Sequence, residues 1–338
     1  MRSLQSFPWV RTALFCLLAV PMVTGLRMAD LVADEPKAGT IAPVAGPITR
    51  GGVTYVSDTR VNATVTPRFD PKSPPPQALT YGVRYESVNG ETVTGDLVLP
   101  TAVTRNGKKA PTILLLHGLG GKKEDVSLLG IALANRGYVS FAIDIAGHGA
   151  RRKPAAKPLA DLDPEETRTL IGQTLADLHR AIDFLSRRSE VDTDRLGFVG
   201  CSLGGIVGGV FLGDEPRIRS AVLWSAGGDW ARLMTSSSHP FARKYRTPGT
   251  DRERIAGTMA DVEPLTCIRR FRGPTLHLYG KTDTVVPVAC IEELFAATPN
   301  PKKKVVYPGG HIPDPLSMIG ETVKWFDSSL KAVTGTGA

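Results

Sequence analysis

The sequence predicts an α/β protein: a mostly parallel central sheet flanked by helices, with an antiparallel hairpin at its N-terminal edge. Two observations predict it. From residue 112 onward, short apolar runs alternate with helical stretches. Those runs are apolar throughout rather than at every second position, the mark of strands buried on both faces. Ahead of them, residues 79–87 and 91–99 alternate apolar and polar residues across Asn89-Gly90. Asn-Gly favours positive φ at both turn positions, so it joins two strands tightly. No internal repeat is visible, and one domain over 79–332 is the economical reading.

The elements follow in order. Residues 34–78, rich in Pro, Gly and Thr, read as a linker and an irregular extension with short strands near 54–56 and 63–65. A strand at 112–116 runs into a Gly-rich turn and a helix over 124–136, then a strand at 139–143. A long helix over 165–188 carries Leu170, Ile171, Leu175, Leu178, Ile182 and Leu185 at a spacing that faces one side. Strand 196–199 leads into a helix from Ser202, followed by strands 221–224 and 275–279. Helix 288–297, strand 304–307 and helix 316–330 complete the pattern.

Residues 1–33 read as a secretory signal. Arg2 and Arg11 precede or flank a short apolar run, 12–20, that Pro21 breaks. It is too short to span a bilayer comfortably, so stable membrane insertion is not expected after cleavage, and an uncleaved anchor is the alternative. Cleavage after Gly25 and after Ala33 both fit, and either makes the chain secreted or periplasmic. The net charge of +8 falls to +6 once Arg2, Arg11, Arg27 and Asp30 leave. The remaining basic residues are scattered, without interleaved aromatics, which argues against nucleic-acid binding. Cys201, Cys267 and Cys290 remain, with no metal-ligand spacing; Cys267 with Cys290 is the one conceivable pair, and three free thiols is the favoured reading.

Gly200-Cys201-Ser202-Leu203-Gly204 matches G-x-S-x-G, directly after a strand and before a Gly-rich helix. That pattern builds a sharp strand-to-helix turn, which thrusts a serine hydroxyl above the sheet. A serine needs a base, and the chain order that accompanies this motif is nucleophile, acid, histidine. Of six histidines, only His239, His277 and His311 follow Ser202. His277 lies inside a strand and His239 in an insert. His311 follows the last strand on a glycine-bearing loop, and is the expected base. Asp283, just past strand 275–279, is the expected acid, because it shares the sheet's carboxyl edge with Ser202 and His311; Asp229 is the runner-up. The oxyanion hole is expected from the backbone N–H of Leu203 and that of Leu119 in His117-Gly118-Leu119-Gly120-Gly121, with Gly118 close behind.

Together these pieces resemble the α/β-hydrolase superfamily over residues 79–332. The likeness extends to Asp144-Ile145-Ala146-Gly147-His148-Gly149, which makes His148 a loop organiser rather than a base. Within the superfamily the chain looks most like esterases of the dienelactone-hydrolase and acetyl-esterase kind, although Ser202 stands where dienelactone hydrolases have cysteine. Cys201, one place early, reads as a packed neighbour.

The resemblance implies ester hydrolysis through an acyl-enzyme, with no cofactor, on a small-molecule or polymer-linked ester. The alternatives are peptide hydrolysis, since the prolyl oligopeptidase catalytic domain is also similar, and a non-catalytic binding protein on the same scaffold. Segments 151–165 and 225–263, the latter with Trp230, Phe241 and Tyr245, are expected to shape the pocket. Arg151 and Arg152 are expected near its mouth, where they would favour an acidic acyl or sugar-linked substrate if they are more than surface arginines.

Overall fold

The computed structural model describes residues 44–58, 60–69 and 76–331. The expected signal and its cleavage positions, Cys16 and most of the proline cluster lie outside them. In chain order the elements are β1 (Ile48–Arg50), β2 (Val53–Tyr55), β3 (Ala63–Pro67), β4 (Ala78–Glu86) and β5 (Thr92–Pro100). There follow α1 (Thr101–Asn106), β6 (Ala110–Leu116), α2 (Ser127–Asn135), β7 (Val139–Ile143), α3 (Pro164–Ser186) and β8 (Val191–Cys201). Next come α4 (Leu203–Asp214), β9 (Ile218–Trp224), α5 (Trp230–Ser236), α6 (Arg252–Met259) and α7 (Pro264–Cys267). The last are β10 (Thr275–Gly280), α8 (Val288–Ala297), β11 (Lys302–Tyr307) and α9 (Pro315–Phe326).

Nine strands form one sheet in the order β11-β10-β9-β8-β6-β7-β5-β4-β3. Strands β6 to β11 are parallel to their neighbours among themselves. β5, β4 and β3 continue the sheet antiparallel, so the hairpin lies where the Asn-Gly turn places it. Asn89 and Gly90 both have positive φ, 59° and 69°. Along β6, Ile113 and Leu115 pack with Leu129 and Leu133 of α2 and Phe326 of α9. Leu114 and Leu116 point the other way, to Leu175 and Ile182 of α3 and Val207 and Phe211 of α4. Apolar residues at every position are what a strand covered on both faces requires.

Three details go beyond the sequence reading. First, the short strand expected near 63–65 joins the main sheet: β3 pairs with β4 as its edge strand. Its alternation of Ala63 and Val65 with threonines suits a half-covered edge strand. Second, α3 does not bury one side only. From Ile171 to Ser186 almost every residue is buried except Arg180. The β1–β2 hairpin lies against α3, and the Tyr55 hydroxyl donates to Asp183 at 2.6 Å. Asp183 also accepts from Arg217 at 2.8 Å, so a charge on what reads as the polar face is buried and paired. Third, the helix expected at 124–136 begins as a 3₁₀ turn, Lys123–Val126, and becomes α-helical only in α2.

The start of α3 is written in the sequence. Asp163 caps it by accepting from the Glu166 N–H at 2.9 Å, and Glu166 returns the bond to the Asp163 N–H at 2.8 Å. Pro164 occupies the first turn, where no N–H is needed. Cys201, Cys267 and Cys290 are free thiols.

Candidate active site

Ser202 sits between β8 and α4 with φ 53° and ψ −118°, a conformation that a non-glycine residue holds only when its surroundings enforce it. Here they do. The Ser202 N–H donates to the Trp224 carbonyl at 2.8 Å, and the Ser202 carbonyl accepts from Gly205 and Ile206 N–H at 2.9 Å each. The helix approaches β6 so closely that a Cβ on Gly204 would lie 2.4 Å from the carbonyl oxygens of Leu116 and His117. Glycine at that place is a steric requirement of the turn.

The loops after β10 and β11 bring Asp283 and His311 together. Asp283 Oδ1 accepts from the N–H groups of Val285 and Val286 at 2.9 and 3.0 Å. Its Oδ2 lies 2.7 Å from His311 Nδ1. A carboxylate here accepts, so Nδ1 carries the proton and Nε2 is left with a lone pair. The loop holding His311 rests on the end of β10, where a Cβ on Gly280 would lie 1.9 Å from the Gly310 carbonyl oxygen. Among the described residues, Asp283 is the side chain bonded to the imidazole, and Ser202 Oγ makes no hydrogen bond to it. Asp229, the runner-up acid, is occupied elsewhere: it caps α5 by accepting from the Arg232 N–H at 3.0 Å. His277 is buried in β10 beside Thr298, and burial takes its pKa down to about 3.

The turn after β6 lies over the serine. An added Cβ on Gly118 would stand 3.4 Å from Ser202 Cβ, and Leu119 lines the same cleft as Ser202. Neither the Leu119 nor the Leu203 N–H has an acceptor among the described residues. His117 fixes this turn, a role the sequence reading did not assign. Its Nε2 accepts from the Ile145 N–H at 3.1 Å, so Nδ1–H donates to the Gly118 carbonyl at 2.8 Å. Asp144 anchors the neighbouring turn, accepting from Thr94 Oγ1 at 2.6 Å and from the Lys123 N–H at 2.9 Å. Burial alone would raise its pKa, but Thr94 and Lys123 outweigh burial and hold the carboxylate low. His148 is buried beside it, with Nδ1 on the Ala146 carbonyl at 2.9 Å. Burial takes its pKa down to about 4, and it lines the same cleft as Ser202. The Cys201 thiol packs against the cluster that holds Val199 and Trp224, and burial pushes its pKa up to about 12, which disfavours the reactive thiolate.

A cleft of about 770 Å³, its open mouth included, adjoins Ser202. Leu159 and Leu162 enter from one expected segment, and Trp230, Phe241 and Tyr245 from the other. No Asp, Glu, Lys or Arg lines it. The expectation for Arg151 is therefore corrected. Its guanidinium is buried and bonded to Asp177 at 2.6 Å and to the Asp144 carbonyl at 3.0 Å. Asp177 on α3 claims it, and sequence spacing gave no sign of that pairing. Arg152 is exposed and also absent from the lining. His239, set aside as part of an insert, does line the cleft. Among the described residues no group of three or more His, Cys, Asp or Glu is arranged to hold a metal ion, and no helix is long and apolar enough to cross a membrane.

Known proteins share this fold. A protein of Methylorubrum extorquens, provisionally named a carboxymethylenebutenolidase, is 25% identical over 222 residues, covering 64% of this chain and 68% of its own. The acetyl xylan esterase from Paenibacillus sp. R4 superposes with a TM-score of 0.68 at 22% identity, over 80% of this chain and 90% of that one. Acetyl xylan esterase 1 from Thermoanaerobacterium sp. JW/SL YS485 gives 0.62 at 18% identity, over 80% and 88%. These likenesses carry the fold, which is that of the α/β hydrolases. The prolyl oligopeptidase family pattern matches residues 126–307, a stretch that holds Ser202 and Asp283 and ends before His311. Because that match spans just over half of the 338 residues, the chain belongs to the prolyl oligopeptidase family, and it is a serine hydrolase of the α/β-hydrolase fold.

Proposed function

We propose that the protein hydrolyses carboxylic esters through an acyl-enzyme, with Ser202 as nucleophile, His311 as general base and Asp283 as its orienting acid. The observation that carries this reading is the 2.7 Å contact between Asp283 Oδ2 and His311 Nδ1, on the same sheet edge as a serine held in a strained turn. Ser202 Oγ attacks the ester carbonyl while His311 Nε2 takes its proton. His311 then returns the proton to the departing alcohol oxygen as the tetrahedral intermediate collapses. Asp283 holds the ring in the tautomer this needs and stabilises its charged form. The N–H groups of Leu203 and Leu119 receive the developing oxyanion. Water then repeats the sequence and frees the acid. The serine–imidazole hydrogen bond closes as substrate binds, as such bonds commonly do.

The uncharged, largely apolar cleft supports a neutral ester with a sizeable apolar part. The names of the acetyl xylan esterases point to polymer-linked esters as one natural source. The family match favours a second reading, peptide-bond hydrolysis by the same residues. The apolar run at 12–20 and Pro21 support export, which N-terminal sequencing of the mature protein checks.

The deciding experiment compares the wild type with Ser202→Ala on p-nitrophenyl acetate, butyrate and octanoate and on peptide amides, with fluorophosphonate labelling of both. Ester turnover and labelling, both lost in the variant by at least about 10⁴-fold in kcat, are expected. Cleavage of amides with little ester turnover replaces the ester reading by the second. Absence of both leaves a binding protein on a hydrolase scaffold.

A further inference from the structure

His239 stands in the cleft beside Ser202, yet the proposed chemistry gives it no part. It is also held there deliberately. Ser237 Oγ donates to the Val285 carbonyl at 2.5 Å, and the Ser238 N–H donates to the Thr284 carbonyl at 2.8 Å. Those two residues follow Asp283 on the loop that positions the acid. The His239 N–H donates back to Ser237 Oγ at 3.1 Å. The segment that carries His239 is thus riveted to the loop that carries Asp283.

The ring's own hydrogen bond fixes its chemistry. Nδ1 accepts from the Phe241 N–H at 3.3 Å, so Nδ1 offers a lone pair and the proton resides on Nε2. Nε2 has no hydrogen-bond partner among the described residues. Burial, and the charge that His311 would carry if protonated, hold the pKa of His239 below its ordinary value. The result is a neutral N–H donor with one fixed tautomer on a largely apolar wall, whose other polar side chains besides Ser202 are His148, Thr167 and Tyr245. A mostly apolar pocket selects orientation through its few placed polar groups.

Resting on the ester-hydrolase reading, we infer that His239 is a specificity-determining residue whose Nε2–H donates to an acceptor oxygen of the substrate other than the scissile carbonyl. The substrate class this names is an ester whose acyl or alcohol part carries an ether, hydroxyl or second carbonyl oxygen a few bonds from the reacting centre.

The test uses two pairs of esters that each exchange one methylene for an ether oxygen. They are 4-nitrophenyl butyrate against 4-nitrophenyl methoxyacetate on the acyl side, and butyl butyrate against 2-methoxyethyl butyrate on the alcohol side. The quantity read is the ratio of kcat/KM within each pair, compared between enzymes, so that intrinsic ester reactivity cancels. Two variants separate donation to substrate from a purely structural role. His239→Asn keeps a group at the place of Nδ1 for the Phe241 N–H and removes the outer donor. His239→Gln keeps an N–H at the place of Nε2 and gives up the Phe241 contact. For a net neutral hydrogen bond the preference for the ether member of one pair falls about 5-fold in His239→Asn and stays within about twofold of wild type in His239→Gln.

Unchanged ratios in His239→Asn, or a loss in His239→Gln as large as in His239→Asn, overturn the inference. Fluorophosphonate labelling of the wild type is run alongside. If the wild type labels and turns over while the ratios do not move, the inference alone fails; if it does neither, the ester-hydrolase reading fails and takes the inference with it.

Discussion

Asp283 has its two oxygens committed to different tasks, and this division makes a sharp test at the scale of single residues. Oδ1 is held by two backbone N–H groups and Oδ2 faces the imidazole. Asp283→Asn preserves the shape but puts an amide beside Nδ1, which favours the tautomer with its proton on Nε2. The expected result is a fall in kcat of roughly 10⁴-fold with an unchanged melting temperature, read by steady-state kinetics and calorimetry; a loss below tenfold would mean that Asp283 is not the orienting acid. Gly204→Ala tests the turn itself. Its Cβ would enter backbone carbonyls at 2.4 Å, and backbone cannot step aside as a flexible side chain can. A destabilisation of about 1–3 kcal/mol is expected from the forced overpacking, with labelling of Ser202 lost before the fold is. The contact between Asp283 and His311 could be anticipated from sequence, because one motif singles out Ser202 and chain order then leaves few candidate partners. His117 and His239 were not legible. Each is recruited by a tertiary hydrogen bond, to Ile145 N–H in one case and through Ser237 to Val285 in the other, and no local pattern records such bonds.

Helix α3 shows at the scale of elements why periodicity reads a boundary better than an environment. Its start, read at 165 from apolar spacing, lies one residue from Pro164, where Asp163, Pro164 and Glu166 form a complete cap. Its apolar stripe was legible too. What the stripe could not show is that the β1–β2 hairpin covers the helix and turns its polar positions into buried ones. His179 Nδ1 lies 3.0 Å from Glu215, and Arg217 bridges Glu215 and Asp183. Burial alone would raise the pKa of Glu215, but the hydrogen bonds from Arg217 and His179 outweigh it and bring it down to about 2. A folded-state pKa below the unfolded value of 4.5 means stability that is present above that pH and lost as pH falls toward about 2. Urea unfolding followed between neutral and acid pH is therefore expected to show a declining stability in that window. Glu215→Gln should be less stable at neutral pH and flatter across the same range. An equally steep acid decline in the variant would assign the loss to other carboxylates. Asp183→Ala removes a partner of both Tyr55 and Arg217, and a cost of about 3–5 kcal/mol is expected for leaving a buried charge poorly paired.

Across the whole molecule, every loop that reaches the candidate site leaves the carboxyl end of a parallel strand, β6, β7, β8, β9, β10 or β11, which is where an open α/β sheet leaves room for a ligand. This much follows from strand order alone. The character of the cleft does not, because its walls come from segments far apart in the chain. Arg151, which spacing placed at the mouth, is instead drawn under the surface by Asp177. Arg151→Ala is accordingly expected to act on stability and not on the choice between anionic and neutral esters, while Arg152→Ala changes neither. The walls that remain, with Leu119, Trp230, Met234 and Phe241 among them, reward apolar substrate surface. Each methylene that leaves water contributes about 0.8 kcal/mol, so the two that separate butyrate from acetate are expected to raise kcat/KM about tenfold. Trimming the wall with Phe241→Ala should reduce the advantage of octanoate over butyrate more than that of butyrate over acetate, because the shorter chain stays nearer Ser202. A chain-length profile that is flat, or that falls after acetate, would show the cleft to be closed to the acyl group and would assign it to the alcohol part of the ester.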